Sequence, residues 1–223
     1  FVFAVPSMRR SPMFMSNKLD GMTIEGNLSP LSNNLFVKVK EVPSLTKSGF
    51  IIPDKAKERP TEGTVVSAGP GAVHPDTGVR LDMSARVGVN VMYGKYEGCE
   101  MKYNDENHQM IKDDDVLLTY SGPEATVETV QCVKDRVLIK LPPKEDSSKS
   151  GIIIKPTSKD DNIPTYGTVV KVGPGKQASS GVVLPPQVEP GDHVRFREYG
   201  GTQLKLGGED YLVTRMYDIL AKW

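Results

Sequence analysis

The chain has 223 residues, with 28 Lys plus Arg against 28 Asp plus Glu, so its formal charge at neutral pH is zero. A neutral chain has no overall field to hold a polyanion, which argues against nucleic acid as a partner. Its longest apolar run is five residues, far short of the ~20 that a membrane-spanning helix needs.

Hydrophobic residues at 38% and charged residues at 25% fit a folded globular protein. The 21 Gly and 17 Pro call for many turns, and so for β structure. The two cysteines, Cys99 and Cys132, form no CxxC pair, and with three scattered histidines they offer no zinc spacing.

Residues 1–27 read as a leader. The first twenty contain Arg9, Arg10 and Lys18, and the first acidic residue is Asp20. A basic, serine-containing, acid-poor segment has the composition of an organelle transit peptide, and the plain alternative is an unstructured tail without a role.

Strand signals begin in the thirties. Leu35, Val37 and Val39 alternate with Phe36, Lys38 and Lys40, the period of a half-buried strand. Thr64-Val65-Val66 is a short β-branched run that stops before a Gly69-Pro70-Gly71 turn. Val91-Met92-Tyr93 and Val116-Leu117-Leu118 are two more short strands. Asn104-Asp105 fits a type I′ hairpin turn. Nothing shows a sustained helical period with caps.

The chain then repeats itself. Asn33-Asn34-Leu35-Phe36-Val37-Lys38 lies over Asp135-Arg136-Val137-Leu138-Ile139-Lys140, an offset of 102 residues (33 to 135). Ser48-Gly49-Phe50-Ile51-Ile52 lies over Ser150-Gly151-Ile152-Ile153-Ile154 at the same offset. Gly63-Thr64-Val65-Val66 and Gly69-Pro70-Gly71 fall on Gly167-Thr168-Val169-Val170 and Gly173-Pro174-Gly175, and Asp115 and Leu117 fall on Asp218 and Leu220. The small drift in offset means loop insertions. The expected organisation is a leader, one domain over 28–122, a polar joint with a Gly-Pro break, and a second domain over 128–223. Short strands with Gly-rich turns at this spacing predict a small β-barrel in each copy.

Between the first two strands of each copy lies a long segment rich in Ser, Lys, Pro and Gly, holding one apolar triplet behind a Ser-Gly. The triplets are Phe50-Ile51-Ile52 and Ile152-Ile153-Ile154. A covering strand would alternate, and these do not. An apolar triplet on a long polar loop, present twice at matched positions, reads as a docking peptide.

Together the Asp135–Lys140 run, the Ser-Gly-triplet loop, the Gly-Pro-Gly turn and the closing Asp218-Ile219-Leu220 resemble the GroES-type co-chaperonins, with a second, more diverged copy ahead of them. Two fused copies are what the chloroplast-type tandem member has. The resemblance implies an all-β fold of two tandem GroES-like, partly irregular barrels, each with a mobile loop and a roof hairpin. It implies a function in capping a 60 kDa double-ring chaperonin and closing its folding chamber. By the same resemblance, Ser48, Gly49, Phe50, Ile51 and Ile52 with Ser150, Gly151, Ile152, Ile153 and Ile154 are the chaperonin-binding residues. Phe50 departs from the aliphatic residue usual there.

The resemblance further implies self-association into a ring, with single-domain co-chaperonin subunits as candidate members. It implies no cofactor, because ATP is bound by the partner chaperonin, and a place in the plastid stroma, with the mitochondrion as the alternative. The opening Phe-Val-Phe-Ala-Val-Pro is similar to the Phe-first transit peptides of plastids of secondary origin. The competing classes are a passive barrel adaptor and a fragment of a GroES-fold oxidoreductase. The latter needs a G-x-G-x-x-G before a helix, and both Gly-Pro-Gly turns lack the third glycine. No catalytic constellation recurs in the two copies, and no metal site is expected.

Overall fold

The computed structural model describes residues 16–40, 61–94, 97–142, 164–198 and 200–223. Within them every regular element is a strand except one 3-10 turn, Met216–Asp218. Two short strands come first, β1 (Ser16–Leu19) and β2 (Met22–Glu25). The first copy supplies β3 (Asn34–Val39), β4 (Thr61–Ala68), β5 (Asn90–Tyr93), β6 (Cys99–Tyr103), β7 (Glu106–Lys112) and β8 (Val116–Tyr120). The second supplies β9 (Val130–Cys132), β10 (Arg136–Lys140), β11 (Tyr166–Val172), β12 (Lys176–Gln177), β13 (Val183–Leu184), β14 (His193–Phe196), β15 (Thr202–Leu206), β16 (Glu209–Arg215) and β17 (Ile219–Lys222).

The first sheet has the order β2-β1-β6-β7-β3-β4-β5-β8-β9, and the second β15-β16-β10-β11-β14-β17. Strands β12 and β13 form a separate ribbon. In the first sheet three strands lie between β7 and β8, yet only residues 113–115 join them. Such a link forces the sheet to curl until its ends nearly meet. In the second sheet β16 and β17 are joined as tightly, through Met216–Asp218. Each copy is therefore a curled, partly open barrel.

The duplication extends to irregularities. The β3–β4 ladder slips between Phe36 and Val37, and the β10–β11 ladder slips between Leu138 and Ile139. The β5–β8 ladder slips between Met92 and Tyr93, and β14–β17 between Arg195 and Phe196. A bulge turns the strand where the barrel must bend. The Lys38–Glu106 ion pair, 2.5 Å, has its counterpart in Lys140–Glu209, 2.6 Å. Gly63 and Gly167 are matched for a steric reason. A Cβ on Gly63 would overlap Val37 and the Lys38 carbonyl, and one on Gly167 would overlap Ile139 and the Lys140 carbonyl.

The interior of the first barrel is Leu35, Val37, Val65, Val91, Tyr93, Ile111 and Val116. That of the second is Val137, Ile139, Val169, Val194, Phe196 and Leu212. A third cluster lies between the barrels and joins Leu117, Leu118, Tyr120, Val130 and Cys132 to Leu138, Leu204, Leu206 and Val213. The alternation expected in β3 places Phe36 on the solvent side with the lysines. Phe36 is instead 1% exposed, with its ring stacked on His108 at 4.7 Å and edge-on to Tyr103 at 5.3 Å. The barrel wall thus has an apolar outer face as well as an apolar interior.

Candidate functional site

The ten candidate docking residues, Ser48 to Ile52 and Ser150 to Ile154, lie outside the described residues. What the structure defines is where their segments are rooted. Residues 41–60 connect β3 to β4, and 143–163 fall within the connection from β10 to β11. Both are antiparallel pairs, so the ends of each connection are neighbours: Val39 opposes Gly63, and Lys140 opposes Thr168.

The two roots are built differently. At the first, the Lys40 N–H donates to the Glu62 carbonyl at 2.8 Å, and Lys40 Nζ pairs with Glu62 Oε2 at 3.1 Å. The Tyr120 hydroxyl donates to that same carboxylate oxygen at 2.8 Å, and Lys40 Nζ also donates to the Pro123 carbonyl at 2.8 Å. Burial, then the Glu62 hydrogen bond and charge, hold the Tyr120 hydroxyl protonated far above its ordinary value. The first root is thereby tied to the joint between domains. In the second copy Pro142 and Tyr166 occupy the places of Lys40 and Glu62, so this tie is missing, and Tyr166 is half exposed. The Leu141 N–H donates to the Asp210 carbonyl at 3.1 Å, and Lys140–Glu209–Tyr211 form the nearby polar chain.

Each root lies at the end of its strand away from a contact that the two copies share. Strand β4 runs from the first root to the segment after Gly71, and β11 runs from the second root to the β12–β13 ribbon. These far ends touch. Thr77 Oγ1 donates to the Ser179 carbonyl at 2.7 Å, and the Asp82 N–H donates to Gln177 Oε1 at 3.0 Å. Eight residues of β4 at ~3.3 Å each separate root from roof by roughly 25 Å. The first roof segment forms no named strand but folds back through a Val73–Arg80 bridge, with the His74 N–H donating to the Val79 carbonyl and the Leu81 N–H to the Ala72 carbonyl, both at 2.8 Å.

The barrels are joined by main chain and by charge. Strand β9 of the second copy pairs with β8, the closing strand of the first, with Leu118 opposite Cys132 and Tyr120 opposite Val130. Beside it, Lys134 Nζ reaches Asp113 at 2.7 Å and Asp114 at 2.6 Å. Asp113, 1% exposed, also accepts from the Ser84 N–H at 3.0 Å and the Ser84 hydroxyl at 2.7 Å. Arg136 and Arg215 donate to the Asp114 carbonyl at 3.0 and 3.3 Å. Burial disfavours the charge on Lys134, but the hydrogen bonds and charges of Asp113 and Asp114 outweigh it, and the ammonium titrates above its ordinary value. This lock was not legible in the sequence, because its groups come from turns on opposite sides of the joint.

The same surfaces at the outer ends are uncovered. Leu117 is 4% exposed under the second barrel, whereas its counterpart Leu220 on β17 is 57% exposed. Tyr120 is 3% exposed and its counterpart Trp223 is 66% exposed. On the other side, β8 and β9 cover Leu138, Leu204 and Val213 of the second barrel. The first barrel carries Phe36, Met101 and Met110 at those places, with both methionines partly exposed.

The described residues contain no group of three or more His, Cys, Asp or Glu able to hold a metal ion. Two clefts of about 40 and 170 Å³ are well below the ~300 Å³ of an ordinary ligand pocket.

Two curled barrels joined strand to strand, each with a long connection rooted at the end away from a shared roof contact, are a tandem pair of co-chaperonin-type domains. The sequence pattern of the family described as "Chaperonin 10 Kd subunit" matches residues 27–120 and again 129–223, and the chain belongs to that family. It is 30% identical to the 20 kDa chloroplastic chaperonin of Arabidopsis thaliana over 87% of this chain and 75% of that protein. It is 30% identical to the protein of that name from Spinacia oleracea over 94% of this chain and 84% of that protein. It is also 48% identical to the co-chaperonin GroES of Elusimicrobium minutum over 42% of this chain and 94% of that protein. The chain is a co-chaperonin, with a role in assisting protein folding.

Proposed function

We propose that the chain caps a 60 kDa double-ring chaperonin in the plastid stroma, docking through Phe50-Ile51-Ile52 and Ile152-Ile153-Ile154, and has no catalysis of its own. ATP is bound and hydrolysed by the partner. The observation that carries the reading is the paired placement of the two triplet-bearing connections, both rooted opposite a shared roof. The chloroplastic naming of two relatives supports the compartment.

Energetics favour many weak contacts. Burying three Ile or Phe side chains contributes ~5–8 kcal/mol. Ordering the three triplet residues, at ~1–2 kcal/mol each, costs ~3–6 kcal/mol and offsets most of that. One loop alone binds weakly, and several on one ring bind tightly through effective concentration and release together.

The chain's own joint supports a ring as the mode of assembly. The β8–β9 pairing shows how one barrel receives the next. Repeated between chains, it sets β17 with Trp223 against the 28–31 segment and the partly exposed Met101 and Met110 of a second copy. Single-domain subunits fit the same edge.

The test is ATP-dependent co-sedimentation of the purified chain with a double-ring chaperonin, together with refolding of a client that needs the closed chamber. Binding and client refolding that both require ATP support the proposal. Failure to bind with ATP present refutes it and favours a passive adaptor.

A further inference from the structure

Residues 16–25 fall within the segment read from composition as a leader, yet they are folded onto the first barrel. Strands β1 and β2 form a hairpin with Ser16 opposite Glu25 and Leu19 opposite Met22. Asp20 and Gly21 take the turn with φ of 47° and 85°, the two positive values of a type I′ turn. The hairpin extends the first sheet at β6, where Leu19 opposes Tyr103.

Side chains at the β6–β7 tip hold it there. The Lys18 N–H donates to Asn104 Oδ1 at 2.9 Å, and the Asn104 N–H donates to the Lys18 carbonyl at 2.9 Å. Asn104 Nδ2 donates to Asn17 Oδ1 at 3.0 Å. Asp105 faces Lys18 Nζ at 3.9 Å. From the hairpin, Asp20 Oδ1 accepts the Lys102 N–H at 2.8 Å. Asn17, 9% exposed, passes the tie onward by donating from Nδ2 to the Gly26 carbonyl at 2.7 Å.

The second barrel makes the same turn without these groups. Gly207 and Gly208 stand where Asn104 and Asp105 stand, with φ of 59° and 90° against 53° and 65°. Among the described residues no strand covers the outer edge of β15. The backbone of the turn asks only for positive φ, which two glycines supply at less steric cost. The Asn-Asp pair of the first copy therefore answers a different demand, that of binding the hairpin.

We propose that β1–β2 is a clamp dedicated to the first barrel. It is docked by Asn104 and Asp105, covers the edge of β6 and leaves the four-residue β2 as the sheet's outer strand, and stays on the mature protein, so that processing of the leader cuts before Ser16. By gripping Gly26 the clamp also fixes the start of the 28–31 segment.

The test uses the full chain and its N104G/D105G variant, which carries the tip that the second barrel already folds with. Native trypsin cleavage after Lys18 is followed by intact mass, with cleavage after Lys205 on β15 as the internal control. Losing the tip's side-chain hydrogen bonds speeds cleavage after Lys18 by at least about tenfold and leaves Lys205 unchanged. Equal rates at Lys18 in both proteins overturn the clamp. Asn17→Ala gives the same reading without touching the turn. The amino terminus of the protein isolated from its cells settles retention: a start at or before Ser16 is expected, and a start beyond Ser16 overturns it.

Discussion

Replacing Lys134 separates the charge lock from the rest of the joint. Lys134 has φ of 49°, a left-handed conformation that Asn tolerates, so Lys134→Asn removes the charge with little backbone strain. The variant leaves the carboxylate of Asp113, 1% exposed, without its cation. The Ser84 hydrogen bonds remain to share that charge. Breaking a fully buried pair costs ~3–5 kcal/mol, and an exposed pair is worth ~0–1 kcal/mol. Lys134 is about one quarter exposed and Asp114 is more than half exposed, so the loss falls near ~2–3 kcal/mol. With an m-value of ~2 kcal/mol per molar, the urea midpoint drops by ~1 M. Adding Asp113→Asn recovers part of the loss, because the orphaned charge is then gone. A midpoint shift of Lys134→Asn below ~0.2 M refutes the lock.

Acid weakens the same joint. Burial raises the Asp114 carboxyl, but the Lys134 hydrogen bond and charge, with Arg215 and Asn33, bring it below its ordinary 3.8. A depressed carboxyl stabilises the fold above its unfolded value and loses that contribution as pH falls through the folded one. Urea midpoints at constant salt are therefore expected to be flat between about pH 5 and about pH 9 and to fall below about pH 4. Lys134→Asn flattens that acid limb, and an unchanged limb contradicts the assignment. Cys99 is exposed, whereas burial pushes the Cys132 thiol up to about 12. Iodoacetamide should label Cys99 alone in the native protein and reach Cys132 faster in Lys134→Asn, and mass spectrometry reads both sites. At the outer edge, Trp223→Ser should lower the assembly mass seen by light scattering while leaving the melting temperature nearly unchanged.

Local order was legible where a residue type is forced by backbone or period. Alternation marked β3 and β10, and the matched glycines marked points where a Cβ meets main chain, as at Gly63 and Gly167. The Asn104-Asp105 turn follows from side chains that tolerate positive φ. Contacts between distant segments were not legible. Phe36 looked outward-facing because period two cannot tell solvent from a second apolar layer. The leader hairpin was missed although Asp20-Gly21, a strong hairpin signal, stood in it; a basic, acid-poor composition concealed four-residue strands. The Lys134 lock joins groups that mean nothing apart. For the docking residues, the structure supplies the roots of their segments, and the repeat in the sequence supplies the triplets.

The most direct measurement is ATP-dependent binding of the full chain to a double-ring chaperonin, comparing wild type with Ile51→Ser, Ile153→Ser and the double variant, each shown folded by circular dichroism. Docking through the triplets predicts weakened binding in the single variants and lost binding in the double one. Ranking the singles shows whether the first root's tie to the joint, through Glu62 and Lys40, makes the two loops unequal. A folded double variant that binds as tightly as wild type contradicts docking through the triplets.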